Sequence, residues 1–448
     1  MKRIFLSLVL AIIGISAIAQ QVAKSLTASN GVKISFYEYK PADYNSNTIK
    51  YPVIIFFHGI GERGNGTATE LPRVLKNGIP KYIDRGHKMT FTWNGKTETF
   101  LVLSPQLSSS YGAWPAFYGE EMVAYAKENL RIDTNRIIVT GLSLGGGGVW
   151  TYAASDLDNA RSVAAIGVVC GTKQSKDFSL IAKANLPVWA FHAEDDPTVN
   201  VSATNLTIDA INAANPVVEP IKTLWSTGGH VVWDRAFDTL YTWQSPNIFE
   251  WFLGQNKSLA PNKFPLANAG SDQSISISTT TATLDACKST DSDGKIARYV
   301  WEQVSGPTSV SIETPIGSAP KTNVSGLTSL GDYVFRVTVY DERVGLSTDE
   351  VTITVTSNSN LAPKAVAGPD RTISTTSSAL DGSQSSDDKG VVSYTWVQLS
   401  GPNTATLTNS KSAVASASNL IKGMYKFRLR VWDAQGLIGV DDVIITKQ

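Results

Sequence analysis

The chain has 448 residues, enough for two to four domains at roughly 100–200 residues each. Its 42% hydrophobic and 17% charged residues can build packed cores, which excludes a disordered chain. Lys and Arg total 39 against 39 Asp and Glu, so no net field draws it to nucleic acid or to an anionic membrane surface.

The chain opens MKRIFLSLVLAIIGISAIAQ. Lys2 and Arg3 precede an apolar run, Phe5–Ile18, that falls short of the about 20 residues a membrane helix needs. Ala17-Ile18-Ala19 supplies small residues for a signal peptidase, so residues 1–20 are expected to be a signal peptide. A secreted or periplasmic protein follows, with no lipid anchor and no membrane span after cleavage. The two cysteines exclude a disulfide scaffold, and Cys170 and Cys287 are expected as buried thiols rather than as a bridge.

Residues 21–254 alternate strands with helices. Lys33–Tyr39 alternates as a strand, and Val53–Phe57 (VIIFF) has the unbroken apolar run of a strand covered on both faces. Thr90–Thr92 and Glu98–Leu103 flank Asn94-Gly95, a hairpin signal, with Leu101–Ser104 a central strand. Helical spacing covers Gly119–Leu130; strands are expected at Arg136–Thr140, Val163–Cys170, Pro187–His192 and Ile221–Trp225. Further helices are expected at Gly147–Ala154, Ser179–Ala184, Ser202–Ala214, Trp233–Tyr241 and Asn247–Leu253. This order implies a doubly wound, mostly parallel α/β sheet, with chemistry beyond the carboxyl ends of its strands.

Four features fall at those ends. Gly141-Leu142-Ser143-Leu144-Gly145 follows the strand RIIVT and precedes a helix, the context in which G-x-S-x-G makes a nucleophile elbow. The sharp turn lifts the Ser143 hydroxyl out of the sheet at a helix N-terminus, which favours developing negative charge. After the strand PVWAF come His192, Glu194, Asp195 and Asp196, three carboxylates of which one can orient a base. In an α/β-hydrolase the order is serine, acid, histidine, and of only four histidines His230 alone lies beyond the acid. Finally His58-Gly59-Ile60-Gly61-Glu62-Arg63-Gly64 follows VIIFF, so an oxyanion hole is expected from the amides of Ile60 and Leu144, with Glu62 and Arg63 as braces. Trp114, Trp225 and Trp233 near strand ends are candidates to wall an aromatic acyl pocket, or else to pack the core and anchor loops.

HGIGERG, PQ…W, RIIVTGLSLGG, FHAEDDPTV and GGHVVWDRAF, in this order, resemble secreted α/β-hydrolases of the esterase type. That group includes feruloyl and acetyl-xylan esterases of carbohydrate esterase family 1, polyhydroxybutyrate depolymerases and predicted peptidases. The resemblance implies Asp196, followed by Pro-x-Val, as the orienting acid, with Asp195 the alternative. It implies a serine carboxylic ester hydrolase that needs no cofactor and acts on an ester substrate, with esters linked to plant polysaccharide among the candidates. A serine peptidase with the same triad, and a non-catalytic surface adhesion protein, are the alternatives. Leu144 departs from the methionine frequent in relatives, which leaves its backbone donor intact.

Residues 255–265 are polar with two prolines and read as a linker. Beyond it the sequence repeats itself at a spacing of about 95 residues: ANAGSDQ and AVAGPDR, LDACKSTDSDGK and LDGSQSSDDKG, YVWEQVSGP and YTWVQLSGP, YVFRVTVYD and YKFRLRVWD. Alternation puts Tyr333, Phe335, Val337 and Val339 on one face, as in a β-sandwich. Residues 266–356 and 363–448 resemble polycystic-kidney-disease (PKD) domains, which implies two immunoglobulin-like all-β sandwiches. Asp285, Asp291 and Asp293 are a calcium candidate, weighed against a solvated turn.

Overall fold

The computed structural model describes residues 21–240, 245–357 and 360–448, and divides into two units, Met1–Asn262 and Lys263–Gln448. The signal peptide expected at residues 1–20 lies outside the described residues, as does Tyr241. Among the described residues, no helix is long and apolar enough to cross a membrane.

Among its described residues the first unit has ten strands. These are β1 Gln21–Thr27, β2 Lys33–Tyr39, β3 Tyr51–Phe57, the hairpin β4 Thr90–Trp93 and β5 Lys96–Thr99, β6 Leu101–Pro105, β7 Ile132–Leu142, β8 Ala165–Val169, β9 Val188–Ala193 and β10 Ile221–Trp225. Eight of them form one sheet in the order β1-β2-β6-β3-β7-β8-β9-β10, parallel from β6 to β10, with β1 and β2 joining antiparallel. All seven residues of β3 are buried, which is why its sequence shows no alternation. The chain leaves β3 for its neighbour β6, then crosses back to β7 on the other side. That reversal opens a crevice at the carboxyl ends of β3 and β7, where the Gly59–Glu62 turn and Ser143 emerge.

Helices cover the sheet: α1 Gly78–Asp84, α2 Phe117–Asn129, α3 Leu144–Ala153, α4 Leu157–Ser162, α5 Ser179–Lys183, α6 Ser202–Ala213, α7 Trp233–Ala236 and α8 Ile248–Gly254. The last is stapled by Asn247 and Glu250, each side chain accepting a backbone N–H at the other's position. Two of these helices have no counterpart among the helices expected above. In α1, Pro80 sits in the first turn, where its missing N–H costs nothing. Helix α4 is short and relies on Asp156, whose carboxylate caps the Asn159 amide.

The second unit holds two sandwiches. In the first, strands 273–276, 346–356, 331–341, 296–305 and 316–317 face strands 281–285, 321–325 and 311–312. In the second, 371–373, 438–447, 423–432 and 393–400 face 377–381, 414–418 and 406–408. Tyr333, Phe335, Val337 and Val339 are fully buried, as are Tyr425, Phe427, Leu429 and Val431 in the second copy. The repeated polar positions close backbone loops. Gln303 bonds the Val310 amide and the Thr308 carbonyl, and Gln398 does the same with Ala405 and Asn403. Asp341 accepts from Arg343 and Gly345, and Asp433 from Gln435 and Leu437, at 2.7–2.8 Å.

Charged side chains join the copies. Lys426 reaches Asp349 of the first sandwich at 2.8 Å and Asp442 of its own at 3.2 Å. Arg428 bonds Asp442 at 2.8 Å and lies 3.8 Å from Asp272. Burial pushes the Asp272 carboxyl up to about 6, against the lowering effect of the Thr352 amide and Arg428.

The calcium candidate does not assemble. Asp285 pairs with Lys321 at 2.8 Å and accepts the Cys287 amide, Asp291 accepts the Asp293 amide, and Asp293 accepts that of Lys263. These carboxylates serve backbone amides or a lysine, and they do not converge into a shared oxygen cage among the described residues. Cys170 is a buried free thiol, whereas Cys287 is exposed rather than buried.

Candidate active site

Ser143 stands between β7 and α3 with φ +53° and ψ −120°, a backbone conformation strained for a residue with a side chain. Three hydrogen bonds hold it there. Its N–H donates to Val169, and its carbonyl accepts from Gly147 and Thr172. The glycine on each side is a steric necessity: a Cβ on Gly145 would sit 2.1 Å from the Phe57 carbonyl oxygen, and one on Gly141 at 2.7 Å from the same atom.

The Ser143 hydroxyl lies 2.8 Å from His230 Nε2, and His230 Nδ1 lies 2.7 Å from Asp196 Oδ2. Thus three side chains far apart in sequence meet at one rim of the sheet. With the carboxylate accepting at Nδ1, the Nε2 lone pair faces the hydroxyl. The other oxygen of Asp196, Oδ1, accepts the amides of Thr198 and Val199 at 2.8 and 2.9 Å. Burial pushes the Asp196 carboxyl up, but the hydrogen bonds from His230, Val199 and Thr198 outweigh it and hold the group below the usual aspartate value.

Asp195 turns the other way. Its oxygens accept the amides of Gly229 at 2.8 Å and Gly228 at 3.2 Å, clamping the loop that carries His230. Both glycines have positive φ, so this clamp needs residues without a Cβ. Cys170, at the end of β8, donates its thiol to the His230 carbonyl at 3.4 Å, and burial pushes its pKa up, so it stays protonated. Cys170, Asp196 and His230 are the one trio of potential metal ligands that converges among the described residues. Their hydrogen bonds to one another and to Ser143 account for it. No sequence pattern singles out Cys170, which directly follows an apolar strand far from the glycine motif.

Ile60 begins a 3₁₀ turn and Leu144 begins α3, so both amides lack acceptors within their own turns. Gly59 brings the first turn against the nucleophile: a Cβ there would lie 3.7 Å from that of Ser143. His58 braces the turn from below. Its Nδ1 bonds the Gly59 carbonyl at 2.7 Å and its Nε2 accepts the Leu107 amide at 3.0 Å, which fixes the neutral tautomer. Burial lowers its pKa to about 4, so it carries no charge at neutral pH. Glu62 bonds Asn77, and Arg63 bonds the carbonyls of Ile60 and Tyr111.

Trp114 does not wall a pocket. It is buried, stacks on Phe57 at 4.5 Å and donates its indole N–H to the His58 carbonyl at 3.1 Å. Gly148 makes room for it, because a Cβ there would approach it to 2.5 Å. Trp225 is likewise an anchor, stacked on Phe191 with the Arg235 guanidinium over its ring. Trp233 alone of the three borders the site, edge-on to His230 at 5.2 Å between centroids.

Residues 44–245 match the model of the phospholipase/carboxylesterase family, and residues 269–355 and 367–446 match that of a PKD domain family of the KIAA0319-like type. The mouse dyslexia-associated protein KIAA0319-like protein is 41% identical over 180 residues; the match covers 39% of this chain and only 17% of that protein. Among solved structures, a thermostable esterase is similar at 23% identity and TM-score 0.40, over 53% of this chain and 63% of its own. A ferulic acid esterase is similar at 17% identity and TM-score 0.36, over 50% and 95%. The chain therefore carries a phospholipase/carboxylesterase domain of the α/β-hydrolase fold, followed by two PKD-like domains.

Proposed function

We propose that residues 21–254 hydrolyse carboxylic esters through an acyl-enzyme on Ser143. The observation that carries this reading is the continuous hydrogen-bonded chain from Ser143 Oγ through His230 to Asp196, at 2.8 and 2.7 Å. In the cycle, His230 Nε2 takes the Ser143 proton as Oγ attacks the ester carbonyl. The oxyanion accepts from the Ile60 and Leu144 amides, each such donor typically worth ~3 kcal/mol in the transition state. His230 returns the proton to the departing alcohol. Water, deprotonated in turn by His230, then cleaves the acyl group from Ser143. Asp196 keeps the imidazole in the working tautomer and stabilises its cation.

The substrate class proposed is a feruloyl or acetyl ester on plant polysaccharide, met outside the cell after export. Ile60 and Val231, next to the oxyanion turn and to His230, are both more than half exposed. They give the mouth an apolar rim suited to an acyl or aryl group, with Trp233 buried beside His230. Two sandwich modules suit a polymer-bound substrate.

Nitrophenyl acetate hydrolysis by wild type and Ser143→Ala tests the mechanism; undiminished turnover in the variant removes it. Parallel assays on feruloylated, acetylated and short aliphatic esters, and on a peptide, test the substrate class. Faster cleavage of the peptide assigns a peptidase. Failure of a fluorophosphonate probe to label Ser143 assigns a scaffold or adhesion role.

A further inference from the structure

His192 lies beside Asp196 and takes no part in the proposed cycle. It is the penultimate residue of β9 and is fully buried. Its Nε2 lies 2.9 Å from the Val199 carbonyl oxygen and 3.3 Å from Asp196 Oδ2, the same carboxylate oxygen that binds His230. Its Nδ1 lies 2.7 Å from the hydroxyl of Thr204, in the first turn of α6.

These contacts fix its protonation. Two oxygens with no hydrogen to give face Nε2, one of them anionic, so Nε2 must carry the proton. Nδ1 is then the acceptor, and the Thr204 hydroxyl donates to it. Burial lowers the His192 pKa and keeps the ring neutral. An ionised carboxylate offers about four acceptor sites. On Asp196 the amides of Thr198 and Val199 use those of Oδ1 and His230 uses one of Oδ2, with His192 Nε2 3.3 Å from that same oxygen.

From this geometry we infer that His192 is a positioning residue: its Nε2–H, held by Thr204, shares itself between Val199 and Asp196 and fixes the carboxylate so that one lone pair points at His230. The inference rests on Asp196 serving His230 in the cycle proposed above. Without the ring, Oδ2 loses its buried N–H neighbour at 3.3 Å, the Val199 carbonyl loses its partner, and the carboxylate gains freedom to rotate away from the base. Small displacements within such a constellation cost about 10- to 100-fold in rate.

The test uses the full chain. The His230 Nδ1–H bound to a carboxylate gives a strongly deshielded proton resonance, observable without turnover. In His192→Leu this resonance moves upfield or is lost, and kcat for nitrophenyl acetate falls about 10- to 100-fold with KM nearly unchanged. His192→Gln, whose side-chain amide places a donor near the same point, keeps the resonance and recovers most of kcat. Thr204→Val removes the partner of Nδ1 while leaving the ring in place; it gives a smaller loss, and it serves if the leucine variant fails to fold. An unchanged resonance and kcat in the leucine or the valine variant overturn the inference, and so do equal losses in the leucine and glutamine variants, which signal packing. A wild type no faster than Ser143→Ala strikes the ester-hydrolase reading instead, and the resonance still decides the part played by His192.

Discussion

Asp196→Asn is the sharpest perturbation of the candidate site, because the surrounding hydrogen bonds dictate how the new amide must lie. Asp196 Oδ1 accepts two backbone amides, from Thr198 and Val199. An asparagine must keep its carbonyl oxygen there, since its NH₂ cannot accept either bond. The NH₂ group then faces His230 Nδ1 and can only donate to it. That forces the imidazole proton to Nε2, where it points at the Ser143 oxygen and can no longer receive the hydroxyl proton. The cation formed during attack also loses its anionic partner 2.7 Å away. Loss of the working tautomer in such a triad costs ~10⁴-fold in kcat, or about 5 kcal/mol of barrier. Steady-state hydrolysis of nitrophenyl acetate by purified wild type and variant measures this, with KM expected to change little. Asp195→Asn is the control: it still offers one oxygen to the Gly228 and Gly229 amides, and a loss below about tenfold is expected. Retention of kcat within tenfold in Asp196→Asn, or the larger loss in Asp195→Asn, would refute the assignment.

Two stability predictions accompany it. Gly145→Ala drives a methyl group to 2.1 Å from the Phe57 carbonyl oxygen, backbone against backbone, and should cost about 3 kcal/mol or more. Gly61→Ala, with no atom within 4 Å, should melt like wild type, and comparison of the two melting curves checks the steric argument. In the second unit, the Asp272 carboxyl is raised to about 6 by burial, so ionising it disfavours the folded state. That cost is absent below the unfolded value of about 4, grows as pH rises through about 6, and is complete above it. Asp272→Asn keeps an acceptor for the Thr352 amide, while Arg428 keeps Asp442. The variant should therefore gain up to ~3 kcal/mol at pH 8 and match wild type near pH 3.5, as read by calorimetry of the full chain. A lower melting temperature for the variant at pH 8 would contradict this.

Much of the architecture was legible because it rests on local signals. An unbroken VIIFF run reads as a strand covered on both faces, and GLSLG between strand and helix leaves little freedom for the elbow. The sandwiches show in their alternation and in their repetition. What stayed hidden depends on which way a side chain turns once the chain has folded. Asp195 and Asp196 are adjacent carboxylates in sequence, yet one turns to two loop amides and the other to an imidazole. Trp114 has the chemistry of a pocket wall, and only its stacking on Phe57 makes it a core residue. The acidic loop at Asp285 has calcium-like composition but lacks convergence, because Lys321 comes from a distant strand. His192 and Cys170 became visible only when separate strands placed them beside His230 and its acid.

The two sandwiches descend from one pattern, but their junction makes them non-interchangeable. Lys426, which holds Asp349, occupies the place that Val334 fills in the earlier copy. Concatenating that earlier copy with itself would meet Asp349 with a valine and leave its carboxylate with the Ala269 amide but no cation. Direction along the array thus resides partly in that ammonium group, and any shuffling of these modules must carry the lysine along.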